Sequence, residues 1–294
     1  MTSLLVIVPT RTRPGQCARL LESFRATVKS PDTEILFITD GDDDSYQDSD
    51  WTGAAQAAVT PRAYFTAKLN TAALAHAPLY DALMFTGDDH VFVTPGWDMI
   101  LLDALAGMGG TGWVYPDDKR RNDIPEIWLA SSGLVTQLNW FAPPWQQHFY
   151  CDNVIADLGV HSGLIRFVPE AVVEHRHYSV CTDTEKDSLY SETEEMFGER
   201  DLEAFREWRG TRFAHDVAKL RRVFNPDVRW LLASIEGVCG LHHGAGAGPG
   251  SGDGAPVYYP VRVVQRHYLQ PEHGRYRLRR HQYRRYLRER LAVP

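Results

Sequence analysis

The chain lacks a long apolar run, carries few cysteines, and has no glycine-rich loop after its first hydrophobic segment. No stretch approaches the roughly 18 consecutive apolar residues that a membrane-spanning helix requires, because charges or glycines interrupt every hydrophobic run. The N-terminal run LLVIV, from Leu4, is too short for the apolar region of a signal peptide. It leads into PTRTRP with no small-residue cleavage site, so a cytoplasmic location is expected. Cys17, Cys151, Cys181 and Cys239 form no CxxC pair, which removes a zinc knuckle or a dense disulfide framework and leaves reduced thiols as the expectation. PTRTRP stands where a glycine-rich phosphate loop would follow the first strand of a nucleotidyltransferase, and so weighs against that class.

What is present suits a globular protein. With 294 residues, 44% of them apolar, the chain can bury a substantial core. Its charge is unevenly placed. Residues 257–294 hold ten Arg against Glu272 and Glu289, a net +8, which leaves −15 on the rest of a chain whose total is −7. An acidic body argues against a surface built throughout for nucleic acid. The basic tail, with Tyr283, Tyr286, Leu287 and Leu291 on one helical face, is suited to contact the protein body, an oligomer partner or an anionic surface.

Apolar strands alternate with helical patterns over the first half. LLVIVP reads as a buried strand, and Ala18, Leu21, Phe24 and Val28 recur at helical spacing after it. TEILFITD, residues 33–40, is a second strand ending in an acidic turn. A helix is expected over Thr66 to Ala77, and ALMFTGDDHVFV supplies a strand, a carboxylate-bearing turn and a short extension. This order predicts an α/β domain with a mostly parallel sheet. Ligands of such sheets bind beyond the carboxyl ends of the strands, which directs attention to the loops 9–13, 40–44 and 87–90. After residue 180 the pattern becomes charged helix, with Leu202, Phe205, Trp208 and Phe213 spaced for one face. GAGAGPGSGDGAP, residues 244–256, has the composition of a flexible linker. The expected divisions are therefore an α/β domain over 1–180, a helical extension over 181–243, the linker over 244–256 and the basic tail over 257–294.

The densest chemical signal is TGDDHVFVTPGWD, residues 86–98. Paired carboxylates at the end of an apolar strand are costly unless a cation or hydrogen bonds compensate. Mg2+ or Mn2+ bound through one or two carboxylates and the oxygens of a diphosphate would do so. An acidic turn capping the next helix is the alternative reading. Trp113, Asp117, Asp118, Trp128 and Trp140 belong to a stretch of mixed aromatic and charged residues of the kind that contacts sugars. Such aromatics serve equally as half-buried core.

In the order and spacing of these segments, residues 4–180 resemble the inverting family 2 of glycosyltransferases, nucleotide-diphospho-sugar transferases of GT-A fold. PTRTRP matches that family's first loop, Asp40 its second-strand aspartate, and GDDHVFVTPGW its DxD-type motif followed by a PG-aromatic turn. The resemblance implies a Rossmann-like sheet with a C-terminal helical extension. It also implies transfer of a sugar, with inversion, from a nucleotide diphosphate sugar to an acceptor hydroxyl of a glycan, protein, lipid or modified nucleic acid. Pro9, Thr10, Arg11, Arg13, Asp40 and Asp88 would line the nucleotide pocket.

With Val91 in register, Asp89 takes the metal-binding position and Gly87 replaces the motif's first aspartate, leaving Asp88 or His90 as an assistant. VPEAVVEHRHYS, residues 168–179, matches a late strand whose histidine completes the metal site, with His175 ranked before His177. FYCDNVIADLG, residues 149–159, matches the segment carrying the catalytic base. Cys151 replaces the first residue of an acidic pair, and Asp152 survives as the candidate base, or as N-cap of the helix it opens. Asp157 is expected at the surface. A nucleotidyltransferase, or an inactive sugar- or nucleic-acid-binding protein of the same fold, are the competing classes.

Overall fold

The structure is a computed structural model that describes residues 2–59, 63–179, 181 and 186–224. The linker 244–256, the basic tail 257–294 and residues 225–243 of the expected helical extension lie outside the described residues. Alternation of side chains across a pleated strand gives the first segment two apolar faces, and both are covered. In β1 (Leu4–Pro9), Leu4, Val6 and Val8 join one core, built with α1 (Pro14–Thr27) and α3 (Trp97–Ala106). Leu5 and Ile7 join the opposite core, with α2 (Phe65–His76), α4 (Ser132–Leu138) and α5 (Cys151–Ser162). β2 (Thr33–Asp40) divides in the same way, Ile35 and Phe37 to the first core and Leu36 and Ile38 to the second.

The remaining strands are β3 (Ala55–Val59), β4 (Ala82–Phe85), β5 (His90–Phe92), β6 (Trp113–Asp117), β7 (Trp128–Ser131) and β8 (Ile165–His175). With β1 and β2 they form an eight-stranded sheet in the order β3-β2-β1-β4-β7-β6-β8-β5. The expected parallel arrangement holds across β3-β2-β1-β4. The sheet as a whole is mixed, because β7 runs antiparallel to both β4 and β6, and β5 is antiparallel to β8. With helices on both faces, the fold is α/β and Rossmann-like. Among the described residues no helix is long and apolar enough to cross a membrane.

The helix after β1 is present with a shifted face. Cys17, Leu20, Leu21, Phe24 and Thr27 are buried, Ala18 is exposed, and Val28 falls on the C-cap. Leu20 offers more apolar area than Ala18, which is enough to set the rotation of the helix. Pro14 opens it, where a missing N–H costs nothing. The turn before α3 places Gly96 at φ 77°, a left-handed conformation that glycine adopts without strain. It delivers Trp97 onto Phe92, ring centroids 4.3 Å apart.

After β8 come α6 (Ser188–Thr211) and α7 (Phe213–Phe224). Phe205 and Trp208 of α6 and Val217 and Leu220 of α7 are buried in the same core as α2, α4 and α5, while Leu202 and Phe213 are half-buried. Residues up to Phe224 group as one compact unit, so both helices belong with the sheet.

Candidate active site

Strands β2, β1 and β4 are neighbours in the sheet, so the loops leaving their carboxyl ends meet. They open into a cleft of about 790 Å³. Its walls include Pro9, Thr10, Arg11 and Arg13 from the first loop, Asp40 from the second, and Gly87, Asp88, Asp89 and His90 from the third. Trp128, Asp152, His175 and His177 line it as well.

At one end Asp40 is buried between two cations. Arg11 donates from Nη1 to its Oδ2 at 3.1 Å, and Lys68 Nζ lies 2.7 Å from its Oδ1. Arg11 also reaches Asp42 at 2.8 Å. Thr12, between the two arginines, has φ 54°, rare for a β-branched residue, and its N–H donates to Asp43 at 2.7 Å. That strained residue turns Arg13 inward. Its Nη1 donates to Asp88 Oδ1 at 3.1 Å, while Thr10 Oγ1 donates to Asp88 Oδ2 at 2.6 Å. Burial pushes the Asp88 carboxyl up to about 6, against the pull of Arg13.

Asp89 is the centre of the second cluster. His90 Nδ1 lies 3.0 Å from its Oδ1 and His175 Nε2 3.2 Å from its Oδ2, and the two imidazoles stack with centroids 4.2 Å apart. Burial alone would raise the Asp89 carboxyl, yet hydrogen bonds from His175 and His90 hold it well below the ordinary range. His175 is raised to about 9: burial opposes its charge, but hydrogen bonds to Asp89 and Glu126 outweigh it.

Asp89, His90 and His175 bring one ligand atom each within 4.8 Å of one another, a donor set of one carboxylate and two imidazoles. Three observations fit a divalent ion. Glu126 Oε2 sits 2.9 Å from His175 Nδ1 and so orients the ring with Nε2 toward Asp89, the arrangement that metal-ligating histidines use. Among the described residues, the buried His90 Nε2 has no hydrogen-bond partner. A Cβ at Gly87 would lie 2.7 Å from Asp89 Oδ1 and 2.9 Å from His90 Nδ1, so the motif's missing first aspartate leaves room for these donors. Ligation through His175 Nε2 requires the ring to give up its proton.

Asp152, which lines the same cleft, stands in the first turn of α5, half-buried. The N-cap is Tyr150, at φ 65°, so Asp152 does not fill that role; its Oδ1 accepts from the N–H of Asn153 at 2.8 Å. Burial and then the charge of Glu126 push its carboxyl up to about 6, against the N–H of Asn153 and the charge of Arg121. Cys151, where the resembling family has a carboxylate, is buried, and burial with the nearby charges of Asp152 and Asp201 drives its thiol well above the ordinary value. It remains a neutral packing group.

Several expectations fail. Trp113 is 1% exposed inside the core and does not line the cleft, and Trp140 packs against Trp145 in that core. Asp117 pairs with Lys119 at 2.9 Å outside the cleft. Trp113 and Asp117 stand at the two ends of β6, whose register shifts between Pro116 and Asp117, and Trp140 follows α4, so which of them meets the core was not legible from their types. Asp118 is buried beside His175 and Glu126 and accepts the N–H groups of Arg120 and Arg121 at 2.8 and 2.6 Å, so it shapes the loop without lining the cleft. Asp157 is 4% exposed rather than at the surface, because Arg209 of α6 pairs with it at 2.9 Å.

Other residues enter the site without having been expected: Lys68, Arg120, Glu126, His148, Phe149, Tyr150 and Tyr190 all line the cleft. Lys68 had a sequence signal, as the one charged side chain within the otherwise uncharged FTAKLNTAALA. Asp201, fully buried in α6, accepts the N–H groups of Gln147, His148 and Phe149 at 2.8–3.2 Å. It thereby fixes the loop that delivers Tyr150 and Asp152.

No protein-family profile matches the chain, and no curated protein matches it. Solved structures do. Glucosyl-3-phosphoglycerate synthase from Mycobacterium tuberculosis, in complex with Mn2+, uridine diphosphate and glucosyl-3-phosphoglycerate, is 15% identical, with 60% of this chain and 72% of that chain covered and a TM-score of 0.47. The same enzyme with Mn2+, uridine-diphosphate-glucose and glycerol 3-phosphate is 16% identical over 60% and 73% of the two chains, TM-score 0.47. Its complex with Mg2+ and uridine diphosphate gives 15%, 60%, 72% and 0.46. These are likenesses of chain path at low sequence identity.

Proposed function

We propose that the chain is a glycosyltransferase that moves a sugar from a nucleotide diphosphate donor to an acceptor hydroxyl with inversion. The observation that carries the reading is the placement of Asp89, with its two imidazoles, and Asp152 on the walls of one cleft, with Arg13 beside the first. Asp40 and Arg11 would meet the nucleoside and Arg13 the diphosphate, whose oxygens suit a planar guanidinium fork. Asp89 and His175 would hold a divalent ion, Mn2+ or Mg2+, with His90 in reach. When bound, that ion supplies Lewis-acid stabilisation of the charge on the departing diphosphate.

The acceptor hydroxyl is a poor nucleophile at neutral pH. Asp152 takes its proton as the new oxygen–carbon bond forms and the bond from the anomeric carbon to the diphosphate breaks. A carboxylate with its pKa near 6 is largely ionised at pH 7 yet more basic than an ordinary aspartate. Because one displacement suffices, no enzymic nucleophile is needed.

The test is a panel of nucleotide sugars with Mn2+, scored for thermal stabilisation and then for transfer or donor hydrolysis. Asp89→Ala is expected to lose metal-dependent nucleotide binding. Asp152→Asn is expected to keep that binding and lose transfer by about 10²–10⁴-fold. Unchanged turnover in Asp152→Asn removes the assigned base, and pyrophosphate release from a nucleoside triphosphate and a sugar phosphate would replace this reading with nucleotidyl transfer.

A further inference from the structure

The N-terminus of α6, its N-cap Asp187 and its first turn, carries two side chains that occupy both charged partners of the donor end of the cleft. Asp187 grips Arg13 with two parallel hydrogen bonds, from Nε to its Oδ2 at 2.7 Å and from Nη2 to its Oδ1 at 2.8 Å. Three residues on, the Tyr190 hydroxyl donates to Asp89 Oδ2 at 2.5 Å, the same oxygen that faces His175 Nε2. The Arg13 guanidinium lies over the Tyr190 ring, 4.3 Å from its centroid, which ties the two contacts into one unit.

An anion on the arginine and a positive dipole on the aspartate reproduce the charge pattern that a metal-bound diphosphate would bring. Arginine's fork fits a carboxylate and a phosphate through the same two donors, so Asp187 and a phosphate cannot both hold it in this way. Likewise, Asp89 Oδ2 already meets two donors, His175 Nε2 and the Tyr190 hydroxyl, so a cation at that oxygen competes with them for its lone pairs.

We infer that Asp187 and Tyr190 are built-in competitors for the donor subsite, and that donor loading is an exchange in which the metal-bound diphosphate displaces the first turn of α6 from Arg13 and Asp89. The inference rests on the reading of this cleft as a nucleotide-diphosphate site. Its consequence is a donor affinity set below what the first-loop arginine and the Asp89 cluster would give alone, because the competent state is reached only when those contacts open. Removing either competitor should therefore tighten binding, the opposite of what loss of a ligand contact or of local structure produces.

The experiment is titration calorimetry of the full chain with Mn2+ and each of UDP, GDP, ADP and CDP, comparing wild type with Asp187→Asn and Tyr190→Phe. Both substitutions are mild. Asn remains a good helix N-cap, the role in which Asp187 accepts the Tyr190 N–H at 3.1 Å, and Phe removes only the hydroxyl. The expected result is about three- to tenfold tighter binding of one nucleoside diphosphate in each variant. Nucleotide binding to wild type with equal or weaker affinity in both variants overturns the exchange while leaving the proposed function standing. Absence of binding in all three proteins overturns the nucleotide reading and the exchange together. Binding in the variants alone supports both.

Discussion

Asp152 owes its raised pKa to two environmental effects that act together, burial at the first turn of α5 and the charge of Glu126, which lines the same cleft. Its sign sets a pH dependence. Below about pH 6 the carboxyl holds its own proton and cannot accept one, so the rate should fall about tenfold per pH unit there and level off above pH 7. A pre-steady-state transfer assay at saturating donor checks this, and a flat profile from pH 5 to 8 would remove Asp152 as base. Gly87 makes a second residue-scale case. A methyl group there would press on Asp89 Oδ1 and His90 Nδ1, which already engage each other, so Gly87→Ala should weaken Mn2+ binding about tenfold or more with little change in thermal stability. Calorimetry with Mn2+ and far-UV circular dichroism measure the two effects separately. Among the residues named from the sequence, Thr10, Arg13, Asp40, Asp89 and His175 stand at or just beyond strand ends, after apolar runs whose direction is plain. Glu126 and Tyr190 were not legible, because Glu126 lies in a loop and Tyr190 in a charged helix, neither of which ends an apolar run or matches a resembling motif.

At the scale of elements, the cleft depends on helices that follow the resembling segment. α6 supplies Asp201 to the loop before Asp152, Arg209 to Asp157, and Asp187 and Tyr190 to the donor end. Its anchor is Trp208, stacked on Trp145 with centroids 5.7 Å apart and donating from Nε1 to Asp216 of α7 at 2.9 Å. Trp208→Ala should destabilise the fold by about 3–5 kcal/mol, read from denaturant unfolding. A loss under 1 kcal/mol would mean that α6 is an appendage. The apolar spacing of Phe205 and Trp208 identified the buried face of α6, whereas the partners of its polar residues could not be read from period alone. Periodicity likewise located α1 but not its rotation, because Ala18 and Leu20 both satisfied the pattern and burial chose the larger.

Across the whole molecule, the two halves of the sheet divide the work. The parallel half, β3-β2-β1-β4, sends three loops to one edge, where Arg11, Arg13, Asp40 and the Asp88–Asp89 pair gather. The remaining strands bring His175 from β8 opposite His90 of β5, in a register that pairs the two residues directly. Strained backbone marks the loops around the cleft: Thr12, Lys119 and Tyr150 all have positive φ, and each flanks a residue bound into the site. The sequence showed the alternation that makes the parallel half, but not the antiparallel insertion of β7, since short strands with continuous apolar character do not reveal their direction. The central claim is that one cleft holds a metal-bound nucleotide diphosphate at Asp89 and a proton acceptor at Asp152. Anomalous scattering from a crystal grown with Mn2+ and the nucleoside diphosphate that binds tests it most directly. The account predicts a manganese peak between the Asp89 carboxylate and His175, with the diphosphate against Arg13 in the cleft that Asp152 lines. Manganese confined to surface carboxylates, or a nucleotide bound away from Arg13, would contradict it.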